Sequence, residues 1–268
     1  MSLLFESSSW IVSSLVLVAI SIALCLTILL IVRRIFSAEE MKKRHDVVGF
    51  TFSIIGVLYS VILGFTVINV QDRYNLVEQT IHTEAFMLAD LYQDAAFFPQ
   101  AGRDQIRSNL RDYIQYVVTE EWGHSLKDQD HLKTRAILKN IWDGYYQVDI
   151  KGEKMKIWYA ESISKLNQFL NARLIRQFNA EQHLGGMMWS LLVVGALITI
   201  CFMFFFGLES LRSHMLMTTL LAGYLSFMLF LVYSLDHVFK GPQGVRPTAL
   251  VQVYSLFDEW DQNSPPSR

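Results

Sequence analysis

Cysteine is scarce in this sequence, and the motifs that mark most enzymes are missing from it. The two cysteines, Cys25 and Cys201, lie inside long apolar segments at no spacing suited to a metal cluster, and we interpret them as small apolar fillers. The sequence has no glycine-rich phosphate loop, Ser-His-Asp arrangement or cofactor fingerprint. We therefore predict that the protein is not an enzyme and binds no cofactor.

Charge is also sparse, while apolar length is abundant. Only 18% of the 268 residues are charged, and the net charge of −2 gives no electrostatic footprint for nucleic acid. Four windows lack Asp, Glu, Lys and Arg, and each can cross a hydrocarbon core, which needs about 20 residues of helix. They cover residues 10–32, 47–70, 187–207 and 215–235. The sequence therefore predicts an integral membrane protein with four transmembrane helices.

The segment between the second and third windows has a different character. Residues 71–186 alternate charged with apolar residues at helical spacing, and the chain has no long β-like alternation. The prediction is therefore an all-α fold with a large helical extramembrane domain between the second and third spans. The expected parts are a first transmembrane hairpin at 1–70, the helical domain at 71–186, a second hairpin at 187–240 and a C-terminal tail at 241–268.

The helical domain is expected to begin as an extension of the second membrane helix. No Pro or Gly lies between Phe65 and Phe98, so this helix should run unbroken to about Phe97, before a turn at Pro99 and Gly102. Three more helices should follow. One passes through Ile106, Leu110, Ile114 and Val117, one covers 132–146, and the last starts near Trp158 and passes through Leu166, Leu170, Leu174 and Phe178.

Lys and Arg near the ends of the spans indicate the orientation. The loops after the first and third windows carry Arg33, Arg34, Lys42, Lys43, Arg44 and Arg212. The opposite side has the more scattered residues Arg73, Arg173, Arg176, Lys240 and Arg246. By the positive-inside rule, both short loops lie in the cytoplasm, and the helical domain and both termini lie outside.

Two stripes run along the second span. Small residues recur at steps of three or four and would let another helix approach closely in lipid: Gly49, Ser53, Gly56, Ser60 and Gly64. Beside them Val57, Val61, Phe65, Ile68 and Asp72 follow the same period. Copies of this helix around an axis would form apolar rings that gate ions by dewetting, with Asp72 in water just beyond. The alternative is that both stripes serve ordinary bundle packing.

The second span also resembles the pore helix of a known family. Leu63-Gly64-Phe65 is followed by Asp72-Arg73-Tyr74, and bestrophins carry a similar Leu-Gly-Phe before an Asp-Arg-aromatic where the helix leaves the membrane. The order of two spans, a helical insertion, two spans and a tail is similar too. More closely, the chain resembles the bacterial bestrophin-like membrane proteins, through "HTEA" around Glu84, "EEW" at Glu121, and "SLDHVFKG" with Asp236 and Gly241.

This resemblance implies a distant relative of the bestrophin ion channels in the bacterial inner membrane. The bestrophin neck would fall on Val57, Val61 and Phe65, with Asp72 and Arg73 at the pore mouth. Bestrophins are homopentamers, which implies a homo-oligomer of five chains that contacts the lipid bilayer and inorganic ions. One implication conflicts with the charge count, because bestrophins hold their helical domain in the cytosol.

Two further residues, Glu84 and Asp236, are candidates for ion or salt-bridge roles. Glu84 sits among apolar neighbours and is expected to pair with Arg173 or Arg176, or else to coordinate an ion. Asp236 ends the fourth span and is interpreted as an interfacial anchor or a group at the ion entry. Glu121 and His124 match one Glu-x-x-His step of a di-iron bundle, but the second copy is missing, so no metal site is predicted.

The leading hypothesis is a homo-oligomeric ion channel lined by the second span. The alternative is a non-conducting, membrane-anchored sensor or assembly module that binds a partner through its helical domain.

Overall fold

A computed structural model describes residues 2–36, 42, 45–122, 128–208, 210–239 and 244–263. Every regular element within these ranges is helical, which confirms the all-α prediction. The α-helices are α1 Ser2–Ile35, α2 His45–Asp94, α3 Gln100–Tyr116, α4 Asp128–Tyr146, α5 Glu153–Glu181, α6 Gly186–Phe204, α7 Leu211–Asp236 and α8 Thr248–Asn263. A 3₁₀ turn, Ala95–Phe97, follows α2, and a π-helical turn, Val117–Glu121, follows α3.

The four predicted spans are confirmed as helices long and apolar enough to cross a membrane. They are Ile11–Ile35, the apolar part of His45–Phe97, Gly186–Phe204 and Leu211–Asp236. The second is one helix of 50 residues, or about 75 Å at 1.5 Å per residue, and it ends three residues before the predicted Phe97. Several sequence features fall outside the described residues: Gly123, His124, Lys240, Gly241, and most of the basic loop at 37–44.

The chain divides into two compact units. The first contains residues 1–74 and 183–244, and the second contains 75–182 and 245–268. In the first unit, α7 contributes to both apolar clusters. One cluster joins α2, α6 and α7 through Tyr59, Leu63, Leu192, Ala196, Leu225 and Val232. The other joins α1, α6 and α7 through Cys25, Leu29, Phe204 and Ala222.

The second unit is a bundle with a dry interior. The predicted face of α3 is confirmed, because Ile106, Leu110 and Ile114 are all buried. The C-terminal segment belongs to this unit rather than forming a separate tail, and α8 buries Leu250 and Phe257.

The structure defines the local roles of two glycines. Gly102 lies inside α3 rather than in a turn, and a Cβ there would come within 3.1 Å of Val148 Cγ2, so a small residue serves packing. Gly152 has φ of +85° directly before α5, a conformation that suits glycine. The helix expected to start near Trp158 therefore starts at Glu153, immediately after that turn.

The face predicted on α5 does not stay buried along the helix. Leu166 is fully buried, but Leu174 and Phe178 are 62% and 68% exposed. Each four-residue step advances about 400°, so a row at that spacing drifts by about 40° per step. The buried positions at this end of α5 include two charged residues, Arg173 and Arg176.

Candidate functional site

One face of α2 in the first unit is left uncovered by the residues that the structure describes. Val57, Val61 and Phe65 are 62%, 49% and 70% exposed. They share this face with the exposed side chains of Ile68 and Asp72. The stripe read from the sequence is thus available for contacts outside the subunit.

The opposite face of α2 is the one that packs within the subunit. Tyr59, Leu63, Thr66 and Val70 are buried there. The closest approach is at Gly195 of α6, where a Cβ would lie 2.4 Å from Tyr59 Cδ2. A glycine on the third span therefore permits this crossing, and sequence analysis did not identify it because it belongs to no repeated row.

The glycines of the small-residue row on α2 make few close contacts with the other described residues of the subunit. A Cβ added at Gly56 or Gly64 would meet no heavy atom of the described residues within 4 Å. At Gly49 it would make an ordinary contact with Phe206 at 3.7 Å. Close helix packing along this row stays a prediction for contacts between chains.

Asp72 and Arg73 point in different directions, as adjacent residues on a helix must, about 100° apart. Asp72 is exposed, whereas Arg73 turns toward the end of α7. There Arg73 Nη2 donates to Asp236 Oδ1 at 2.5 Å and to the Asp236 carbonyl at 3.0 Å. Of this pair, Asp72 is the residue that faces away from the subunit.

Asp236 is 1% exposed, so it is not a snorkelling interfacial anchor. Besides Arg73, the Leu184 amide donates to its Oδ1 at 2.8 Å, and Trp189 Nε1 donates to its Oδ2 at 3.3 Å. Nearby, His183 Nδ1 lies 3.1 Å from the Asp236 carbonyl. This carboxylate joins the start of α6, the end of α7 and the pore-helix candidate α2.

A buried ionic cluster occupies the core of the second unit. Arg176 Nε donates to Glu84 Oε2 at 2.6 Å, and its Nη2 donates to Glu121 Oε1 at 2.9 Å. Arg173 Nη2 donates to Glu121 Oε2 at 2.8 Å. Tyr113 completes the ring: its hydroxyl donates to Glu84 Oε1 and accepts from Arg173 Nη1 at 2.6 Å. Two carboxylates and two guanidinium groups thus balance within a dry core, and Glu84 has Arg176 as its ion-pair partner.

The electrostatics of this cluster favour the ionised forms of Glu121 and Arg176 and the neutral form of Tyr113. Burial alone would raise the pKa of Glu121, but the positive charges of Arg176 and Arg173 outweigh it, and that pKa lies below its usual value. Burial raises the pKa of Tyr113, so its hydroxyl stays protonated and can donate. The pKa of Arg176 is raised by Glu84, Tyr113 and Glu121 against the effect of burial.

A second polar network attaches α8 to the same unit. Tyr92 donates its hydroxyl to Asp261 Oδ2 at 2.6 Å, and burial together with that bond raises the pKa of Tyr92 to about 12. Arg111 binds Asp258 and Asp261, and Arg107 also binds Asp261. The sequence alone does not reveal this network, because the arginines and the aspartates that they bind lie about 150 positions apart.

Known proteins show a consistent pattern of similarity to this chain. The family model described as a bestrophin-like domain matches residues 19–250. The fold is similar to the crystal structure of a bacterial bestrophin homologue from Klebsiella pneumoniae, with a TM-score of 0.72 and 13% identity over 92% of this chain and 99% of that one. It is also similar to a mutant membrane protein, with a TM-score of 0.66 and 14% identity over 91% and 99% of the two chains. A search of curated proteins finds no match.

Proposed function

The chain belongs to the bestrophin-like family, and on that basis we propose that it is a homo-oligomeric ion channel whose pore is lined by α2. Val57, Val61 and Phe65 form the apolar constriction in this proposal, and Asp72 forms an acidic ring beyond it. Bestrophin resemblance supports five chains in the bacterial inner membrane. The observation that carries the proposal is the face of α2 holding these residues, which is exposed within the described part of the chain.

Exposed apolar side chains in the second unit support self-association. Phe86 is 62% exposed on the part of α2 that lies in this unit, and Leu174 and Phe178 are exposed on α5. An aromatic side chain buries about 150–250 Å² when covered, so contacts between chains would stabilise an oligomer through these residues.

Ion flux through liposomes tests conduction. The wild-type protein should pass ions, and the double substitution Val61→Ala with Phe65→Ala should raise the flux, because it widens and wets the constriction. The matched control is Leu216→Ala with Leu220→Ala. These residues are also four apart in a span and are 58% and 61% exposed, but they lie on α7.

The alternative of a non-conducting assembly module makes the opposite prediction. If neither the wild-type protein nor the Val61/Phe65 variant passes ions, the channel proposal fails and the module is favoured. Equal increases in the Val61/Phe65 and Leu216/Leu220 variants would also contradict the proposed pore, since they would indicate general leakiness.

Thiol accessibility tests which residues line the pore. Starting from a variant without Cys25 and Cys201, a cysteine at position 61 should react with a charged methanethiosulfonate added from water and lower the flux. A cysteine at Leu220 should not react, because lipid covers it. The mass of the detergent-solubilised complex, measured by native mass spectrometry, should equal five chains.

The Lys and Arg distribution supports a helical domain outside the cytoplasm, and labelling tests it. In the same cysteine-free background, Lys139→Cys places a thiol at a residue whose side chain is 77% exposed. An impermeant maleimide should label it in intact cells after the outer membrane is permeabilised. Labelling that appears only after the inner membrane is disrupted would place the domain in the cytosol, as in bestrophins.

A further inference from the structure

Three side chains that commonly bind metals meet between the start of α6 and the end of α7. One imidazole nitrogen from each of His183 and His237 and one carboxylate oxygen of Asp236 lie within 4.8 Å of one another. All three residues belong to the first unit. Two imidazoles and a carboxylate form a donor set that suits Zn²⁺ and related divalent ions.

Backbone hydrogen bonds orient both imidazoles in the way that metal ligands require. His183 Nδ1 lies 3.1 Å from the Asp236 carbonyl, and His237 Nδ1 lies 3.0 Å from the Tyr233 carbonyl. A carbonyl only accepts, so this geometry favours the tautomer with a proton on each Nδ1, which leaves the lone pair of Nε2 for an ion. Ligating histidines typically donate their other nitrogen to a carbonyl in this manner.

Stacking holds the two imidazoles next to each other. The His183 and His237 ring centroids are 4.8 Å apart, with 26° between the ring planes. The Tyr233 ring also packs against His237, with a centroid distance of 4.2 Å. His183 is exposed and His237 is half-buried, so an ion has access from water.

The carboxylate is held in place and has one oxygen with spare capacity. Asp236 Oδ1 accepts from both Arg73 and the Leu184 amide, whereas among the described residues Oδ2 accepts from Trp189 alone, at 3.3 Å. Arg73 holds the Asp236 carboxylate in place, although its own positive charge lowers the affinity for a cation. Oδ2 is therefore the oxygen that can act as a third ligand.

We propose that His183, His237 and Asp236 form a binding site for a divalent first-row transition metal ion, with Zn²⁺ as the occupant. Zinc–nitrogen bonds are about 2.0–2.1 Å, so two ligand atoms on one ion are at most about 4.2 Å apart. The ligand atoms of the three residues lie within 4.8 Å of one another, so binding an ion requires the side chains to draw closer together. The bound ion would tie the segment before α6 to the end of α7. This inference is independent of whether the protein conducts ions.

Zinc titration of the full-length protein in detergent tests the site. The protein is purified without a polyhistidine tag, treated with EDTA and titrated with Zn²⁺ by isothermal calorimetry. We expect one high-affinity equivalent per chain, and a loss of at least about tenfold in affinity for His183→Gln and for His237→Gln. His82→Gln is the matched control, because His82 is exposed on α2 and its ring neighbour is Phe86.

Zinc X-ray absorption identifies the ligands directly. The wild-type protein should show imidazole scattering without sulfur, and this signal should disappear in the double variant His183→Gln, His237→Gln. Unfolding temperatures in EDTA that match the wild type would show that the variants fold. The proposal is overturned if the wild-type protein does not bind Zn²⁺ at submillimolar concentration, or if the double variant binds it as tightly as His82→Gln does.

Discussion

The buried ionic cluster gives a prediction whose size follows from its charge balance. Glu84 and Glu121 face Arg173 and Arg176 in a core from which water is excluded, so the net charge is zero. Arg176→Met leaves one carboxylate in excess, and Glu84→Gln leaves one guanidinium in excess. Removing one partner of a buried pair typically costs about 3–5 kcal/mol, because the remaining charge stays buried.

The double substitution separates charge imbalance from the loss of individual contacts. With both Glu84→Gln and Arg176→Met, the remaining pair of Glu121 and Arg173 is neutral again. The double variant should therefore lose less free energy of unfolding than the sum of the single variants, by about 0.5–3 kcal/mol. Simple additivity would refute the charge-balance reasoning.

Thermal unfolding in detergent, followed by tryptophan fluorescence, measures these effects. Trp122 is a reporter within the cluster, since Arg176 Cζ lies 5.3 Å from its ring centre. At about 2–4 °C per kcal/mol, each single substitution should lower the Tm by roughly 6–20 °C at a fixed scan rate. The control is Glu153→Gln, which breaks an exposed pair with Lys156 at 2.7 Å and should change little. A loss for Arg176→Met no larger than for this control would also refute the reasoning.

Three further predictions follow from single contacts. The pKa of Glu121 is lowered from 4.5, so the stability it contributes should be full above about pH 4.5 and should decline as the pH falls through the lowered pKa. In acid unfolding, Glu121→Gln should lack this part of the dependence of stability on pH. An unchanged pH dependence in that variant would contradict the prediction. Gly195→Ala places a Cβ 2.4 Å from Tyr59 Cδ2 and should lower the free energy of unfolding by about 1–3 kcal/mol, as measured by thermal unfolding. The control Gly223→Ala, whose nearest contact would be 3.4 Å away, should leave stability unchanged. Gly56→Leu should leave the chain folded but reduce the oligomer mass in native mass spectrometry, because the small row is predicted to serve contacts between chains; an intact oligomer would argue against that role.

Local chemistry explains why most of the architecture could be read from the sequence. Span length, the absence of charge and the uninterrupted extension of α2 depend on hydrophobicity and on the spacing of Pro and Gly, which are properties of short segments. The stripe at Val57, Val61 and Phe65 was visible for the same reason. Its place at the centre of an oligomer depends on other chains and stays a prediction.

The partners of charged residues depended on chain segments that are far apart in sequence. Arg73 is 163 positions from Asp236, and Glu84 is 92 positions from Arg176, so no local pattern pairs them. Glu121 was considered only as half of a metal motif, yet it lies between two arginines.

The sequence by itself therefore determined the four membrane-spanning helices, the helical insertion and the apolar stripe on α2, because each follows from the hydrophobicity and residue spacing of a single segment. The tertiary structure decided which face of α5 is buried, since a four-residue row drifts around the helix and Arg173 and Arg176 replace leucine in the core. It also decided that Asp236 lies buried beside two histidines rather than at a wet interface. Such arrangements arise only when helices that are distant in sequence pack together and exclude water. Charge balance and close packing therefore depend on the whole unit and not on any single segment.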